Sequence, residues 1–227
     1  MASRPVFLVA TEAEGFVREK PVEFHWYPGM SVTQKQRSIS ALHESVRSTL
    51  QVSRILEISS KSADEVGRKF SAFTLQVPWG SNTRPLEVVF QASKVFAEGG
   101  PFTDLLEATP RDAKRDERLR FSGPLKCFEI QGESWPLDPP TVFYDWLYAK
   151  GLAALDPGVE LLAGYDAFTD IEFNPDRSLN CQARAAAYCV GLQRANLFAE
   201  SLNSPAQFLA LHQEAWSRAL RGAGKIC

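Results

Sequence analysis

The sequence predicts a single domain that is mainly helical with a small β component, an α+β fold. Three observations carry this. Helix start and stop signals recur along the chain: Ser31 with Gln34, Pro85 with Gly99-Gly100-Pro101, Thr109-Pro110 with Ser122-Gly-Pro124, and Ser204-Pro205 with Gln207. Apolar runs of strand character between them are short, Pro5 to Ala10 and Arg54 to Ser59 foremost. No Gly- or Pro-rich linker and no internal repeat divides the 227 residues, 44% of them hydrophobic with 15 Phe and 5 Trp, so burial is not limiting.

Element by element, Pro5 to Ala10 reads as a buried strand and Ser31 with Gln34 as a capping box opening a helix through about Leu50. Arg54 to Ser59 is a second strand. Pro85, whose missing N–H costs nothing in a first turn, opens a helix whose apolar stripe is Leu86, Val89, Phe90 and Phe96. Gly99-Gly100-Pro101 ends it. Thr109-Pro110 starts a charged helix to about Arg120. Lys126 to Gln131 reads as a strand, Thr141 to Leu152 as an aromatic-rich helix and Pro157 to Ala163 as a short one. Phe168 to Phe173 is a strand, Gln182 to Leu202 a long helix, and Ser204-Pro205 opens the last helix, to Gly222.

The formal net charge of −2 argues against a protein that coats nucleic acid without regard to sequence, while leaving room for a local basic patch. Cys127, Cys181, Cys189 and Cys227 show no metal-ligand spacing and are expected as free thiols in a reducing compartment. His25, His43 and His212 are scattered, so no metal and no cofactor is expected. The run Pro5 to Ala10 is too short for a signal peptide or membrane span, and a cytoplasmic protein is the expectation.

On the helix opened by Pro85, the residues Glu87, Gln91, Lys94 and Glu98 fall on a polar stripe, which suits a solvated face as well as a site. The letters decide more than the spacing. FSAF at 70–73 and LEVVFQASKVF at 86–96 resemble the FSNF and SEHYFQAQKF segments of the NADAR (YbiA-like) family of N-glycosidases. Ala113-Lys114-Arg115, Leu147-Tyr-Ala-Lys150 with Leu161-Leu162, and Ile171-Glu172-Phe-Asn-Pro175 resemble later family segments in the same order, so the likeness spans about 61–195. Phe24-His-Trp-Tyr-Pro-Gly-Met-Ser31, Gln34-Lys-Gln36, Leu42-His43 and Asn180-Cys-Gln-Ala183 resemble the subgroup associated with DarT-type DNA ADP-ribosyltransferase toxins. The resemblance implies one NADAR-type domain over 1–227, with 1–55 as an N-terminal extension packed on it.

Hydrolysis of an N-glycosidic bond passes through an oxocarbenium-like state that needs a proton for the leaving nitrogen and negative charge near C1. Glu87 matches the family glutamate of SEHYFQA and is the residue the resemblance makes catalytic. Lys61, directly after the second strand, lies where the family borders the sugar. An unprotonated lysine there would open the ribose as a Schiff base, whereas without the family it reads as a strand-end lysine in water. Phe73, Gln91, Lys94, Lys114 and Asn180 are candidate substrate contacts, Gln91 and Lys94 for ribose hydroxyls or a diphosphate. Lys114 and Arg115, with Arg111, Arg118 and Arg120, are the densest cation supply, though interleaved acids also suit a solvated face. Asp170 and Glu172, two apart on an expected strand, would share one face. The family's glycine-rich loop is replaced here by Asp176 to Ala183, which shapes the leaving-group side. Phe24 to Tyr27 serve either to pack the N-terminal arm or as an aromatic platform for a base.

The resulting expectation is a glycohydrolase that removes ADP-ribose from guanine in DNA, acting as antitoxin to a DarT-type toxin, with no membrane partner. Two alternatives stand beside it: a riboflavin-pathway N-glycosidase of the YbiA-like type, and a module that only binds ADP-ribose or the toxin.

Overall fold

A computed structural model describes residues 1–176 and 178–223. Arg177, in the loop expected to shape the leaving-group side, and Cys227, one of the four expected free thiols, lie outside the described residues. The fold is α+β, as expected.

Strand β1 (Ala2–Val9) pairs antiparallel with β2 (Val17–Phe24) on one side and with β9 (Ala167–Thr169) on the other, and β9 pairs in parallel with β3 (Ile55–Glu57). The order is β2-β1-β9-β3, so residues 2–24 form half of this sheet. The period-two alternation of β1 sends Val6 and Leu8 toward α1 (Val32–Leu50), where Ile39, Leu42 and Val46 meet them. Phe7 points the other way, into the main core. Ser31 caps α1 by accepting from the Gln34 N–H.

The main core forms around α6 (Val142–Ala153) and α7 (Gln182–Arg194), both buried almost all round, with apolar or small residues on most of their positions. Helix α7 lies on β1 and β9 and alongside α6. Gly191 of α7 sits against the Phe16 carbonyl, where a Cβ would come within 2.5 Å of the oxygen. The last helix α9 (Pro205–Ala223) is tied in by a buried ion cluster: Asp145 of α6 accepts from Thr141 Oγ1 (2.8 Å), His212 Nε2 (2.9 Å) and Arg184 Nη1. The expected long helix over Gln182 to Leu202 is in fact α7 and the single turn α8 (Phe198–Ser201), broken where Asn196 takes a left-handed φ of 59°.

The segment that names the fold is shorter than its sequence suggests. The hairpin β4 (Gln76–Trp79) and β5 (Asn82–Pro85) leads into α3 (Leu86–Ala92), whose seven residues are all buried. Glu87 and Gln91 of the polar stripe are therefore not on a solvated face, whereas Lys94 and Glu98 fall beyond the helix and Glu98 is exposed. The expected continuation to Phe96 is overturned: Ser93 Oγ bonds back to the Val89 carbonyl, and Lys94–Phe96 becomes strand β6, paired with β7 (Leu125–Ile130). Pairing with a neighbouring strand outweighs local helix propensity here, and the branched Val95 favours it. Strand β8 (Glu133–Trp135) completes this small sheet. Phe90 anchors α3 to β7 and α6 by packing on Phe128 and on Phe143 and Tyr144, with ring centroids 5.1–6.3 Å away.

The expected helix from Pro110 to Arg120 is two short ones, α4 (Pro110–Arg115) and α5 (Arg118–Phe121), because Asp116 turns out to bind Arg118 and takes an extended φ and ψ. Short helix α2 (Glu65–Lys69) approaches β3 so closely that a Cβ on Gly67 would come within 2.0 Å of the Glu57 carbonyl oxygen. No helix among the described residues is long and apolar enough to cross a membrane.

Candidate active site

The first turn of α3 and the residues 70–75 are held together by the backbone itself. A helix leaves its first N–H groups without intrahelical partners. Here Leu86 N–H donates to the Leu75 carbonyl (2.8 Å) and Glu87 N–H to the Ala72 carbonyl (2.9 Å). Tyr148 of α6 donates its hydroxyl to the Phe70 carbonyl (2.9 Å), which pins the other end of that segment. The two most recognisable stretches of the sequence are thus one structural unit.

Glu87 is 5% exposed. Its Oε1 accepts from Gln91 Nε2 (2.9 Å) one turn on and lies 3.5 Å from Lys114 Nζ, delivered by α4. The side-chain amide oxygen of Gln91, Oε1, is buried with no hydrogen-bond partner among the described residues. Lys94 returns to this cluster from β6, its ammonium 4.8 Å from the centre of the Phe90 ring. Burial pushes the Lys94 amine down to about 8; the Glu87 charge opposes this and the Lys114 charge adds to it. Phe73, 40% exposed, forms the outer wall, with Lys114 Nζ 5.5 Å from its ring centre. The structure therefore gathers Glu87, Gln91, Lys94, Lys114 and Phe73.

A second acidic cluster adjoins the first. Gln182, at the start of α7, accepts from the Ala72 N–H (2.7 Å) and donates to Asp170 Oδ2 (2.9 Å). Ala72 is the residue whose carbonyl takes the Glu87 N–H, so Gln182 couples Asp170 to the head of α3. Asp170 is buried, and desolvation, reinforced by the charge of Glu57, pushes its carboxyl up to about 8. Glu87 and Asp170 both bear electrostatically on the buried Tyr144, whose hydroxyl is pushed well up, first by desolvation.

Glu57, at the end of β3, is fully enclosed: it accepts from Ser59 Oγ (2.7 Å), the Ile171 N–H (2.8 Å) and Thr169 Oγ1 (2.6 Å). Thr169 is in turn 2.9 Å from His43 Nε2 of α1. Burial raises the Glu57 carboxyl above its ordinary value.

The expectation that Asp170 and Glu172 share a strand face is corrected. Strand β9 ends at Thr169, and the two occupy the turn that follows, where Asp170 Oδ1 accepts the Glu172 N–H (3.0 Å). Asp170 turns inward to Gln182, whereas Glu172 pairs with Lys35 of α1 (2.8 Å). Lys61 is half-buried; its N–H donates to Ser59 Oγ (3.2 Å), and its ammonium makes no ion pair among the described residues. Asn180 is half-buried two residues before Gln182, and its carbonyl accepts from Ser178 Oγ (3.1 Å). Sequence reasoning missed Glu57, Thr169 and the bridging role of Gln182. Glu57 did leave a signal, a lone carboxylate inside the apolar run Ile55 to Ile58. No group of three or more His, Cys, Asp or Glu residues among the described residues is arranged to hold a metal ion.

Chemically, the site offers a desolvated carboxylate, a nearby amine that is partly neutral at physiological pH, an unpaired amide acceptor and exposed cations at the rim. Comparison with known families adds one match, a model for the DarT1-associated NADAR antitoxin over residues 2–220. No curated protein matches the chain.

Proposed function

The chain belongs to the DarT1-associated NADAR antitoxin family, and from that premise we propose that it is an N-glycosidase that releases ADP-ribose from guanine in DNA, undoing the mark left by a DarT toxin. The observation that carries this reading is the buried Glu87 carboxylate, bonded to Gln91 and ion-paired with Lys114, within electrostatic reach of the depressed amine of Lys94.

In the proposed reaction the neutral Lys94 amine forms the new bond at C1′ as the C1′–N bond to guanine breaks. The Glu87 carboxylate takes one proton from the attacking amine and hands it to the leaving guanine nitrogen. The C1′–O4′ bond then opens toward O4′, which receives the remaining N–H proton through Glu87, leaving an open-chain imine on Lys94. Water adds to the imine carbon and displaces the amine, giving ADP-ribose and restored guanine. Gln91 Oε1 is available to a ribose hydroxyl, and Asp170, protonated below about pH 8, can donate to one. Lys114, with exposed Arg111 and Arg115 on the same short helix, suits the diphosphate. Lys61 is the second candidate amine, favoured by its place one hydrogen bond from the Ser59–Glu57 pair.

The test is to incubate the protein with DNA carrying ADP-ribosylated guanine. Free ADP-ribose and repaired DNA are expected, and Glu87→Gln should yield neither. Binding of the modified DNA without any release by the wild-type chain would reduce the protein to a binding module.

A further inference from the structure

Beside the acidic cluster, the N-terminal strands and α1 carry a ridge that the proposed reaction does not use. The Arg4 guanidinium lies over the Trp26 ring at 5.3 Å from its centre, and Arg37 over Tyr27 at 4.2 Å. Lys35 covers Trp26 as well (4.9 Å) while holding Glu172 of the candidate site. The rings are therefore not bare stacking platforms; their faces are occupied by cations. Neither Arg4 nor Arg37 has a carboxylate partner among the described residues, their side-chain bonds being to the Ser3 carbonyl (3.0 Å) and Gln34 (3.4 Å).

The ridge is also rigid. Ser38, buried on α1, accepts from the Tyr27 N–H (3.0 Å) and donates to its carbonyl (3.3 Å), and Trp26 packs edge-on against fully buried Phe24. Beside it is a shallow depression of about 350 Å³ lined by Tyr27, Thr33, Gln36, Arg37, Ser40 and Glu44. Arg4 Nε is buried without a hydrogen-bond partner among the described residues, so the terminal nitrogens are the donors Arg4 can offer, and two ring-stacked guanidiniums without carboxylate partners complement phosphates.

We propose that the Arg4–Trp26–Tyr27–Arg37 ridge is a docking surface for the phosphate backbone of the nucleic-acid strand whose modified base enters the neighbouring site. This rests on the N-glycosidase reading for the identity of the strand. Lys35 joins the two surfaces, so a strand lying on the ridge leads to Glu172 and Asp170.

The test measures binding of a short, unmodified, single-stranded oligodeoxynucleotide as a function of salt. Each phosphate contact on a single strand contributes about 0.7 to the slope of log K against log salt, so Arg4→Gln with Arg37→Gln should lower it by about 1.4. Arg4→Lys with Arg37→Lys should keep the slope. Ser40→Glu, an exposed change that disturbs no core packing, should weaken binding as well. Release of ADP-ribose from a modified mononucleoside should be unchanged in all of them. An unchanged slope in the Gln pair together with wild-type affinity in Ser40→Glu overturns the proposal. So does a result in which DNA binding survives and only neutralisation of the toxin is lost, since the ridge would then contact protein. Because the probe carries no ADP-ribose, failure of the wild-type chain to turn over modified DNA would sink the reaction without touching this outcome.

Discussion

An amine that attacks C1′ must be unprotonated, and Lys94 should show this directly. With its pKa at about 8, about 9% of the amine is neutral at pH 7, against about 0.03% for a lysine at the ordinary 10.5, a gain of about 300-fold. The neutral fraction then rises to about half at pH 8 and about 90% at pH 9, so the response saturates within the working range. Free ADP-ribose presents its open-chain aldehyde without any need for leaving-group protonation. Incubating it with the protein and cyanoborohydride, and following adduct mass across pH 6 to 9, reads the amine alone. We expect a rate that climbs about tenfold between pH 7 and 9 with a midpoint near 8, and an adduct on Lys94 that Lys94→Arg abolishes. Neighbouring charges give the sign of two further shifts. Lys114 disfavours a charged Lys94, so Lys114→Gln should move the midpoint up; Glu87 favours it, so Glu87→Gln should move it down. A rate still rising tenfold per unit at pH 9, or an adduct that maps to Lys61, would refute the assignment.

Glu87→Gln should lose turnover of modified DNA by roughly a hundredfold or more with ADP-ribose binding retained, as removal of a proton shuttle predicts; single-turnover kinetics with a binding titration checks both halves. The folded-state carboxyl of Asp170 is pushed up from the ordinary range to about 8, so the folded chain holds a proton that the unfolded chain releases, and this group's effect is to lower stability as pH climbs from about 4 to about 8. Asp170→Asn should flatten that decline, read as urea midpoints at pH 5 and pH 8; an unchanged pH slope would deny the burial of the charge. Phe90→Ala removes the ring that packs α3 onto α6 and should cost about 3–5 kcal/mol in chemical denaturation. Loss of less than about 1 kcal/mol would mean that α3 is held mainly by its backbone contacts to 70–75.

The sequence by itself determined the features that depend on near neighbours in the chain. Ser31 caps α1 through the Gln34 N–H because the cap is a contact three residues long, and Thr109 opens α4 by the same local bond. Glu87 and Gln91 share a face because four residues make one helical turn. The buried strand at Pro5 to Ala10 and the aromatic-rich helix α6 were equally readable, since each follows from the composition of a short continuous segment. The resemblance of FSAF and LEVVFQASKVF pointed to the right family, matched over residues 2–220.

What only the tertiary structure decided lies where a distant partner competes with local preference. Lys94 leaves the helix because β7 supplies strand hydrogen bonds that residues 86–96 alone do not contain. Its low pKa then comes from burial against Phe90 and from the charges of Glu87 and Lys114, none of which a linear spacing can measure. Asp170 and Glu172 part company because Gln182, twelve residues from Asp170, draws one inward, while Lys35 draws the other to α1. Glu57 becomes a buried acid because Thr169 and Ile171 close over it from β9 and the turn beyond, more than 110 positions away. Helix caps and turns are set by bonds a few residues long; the protonation of a buried carboxylate or amine is set by the dielectric and charges around it, and those exist only once the remote segments have packed.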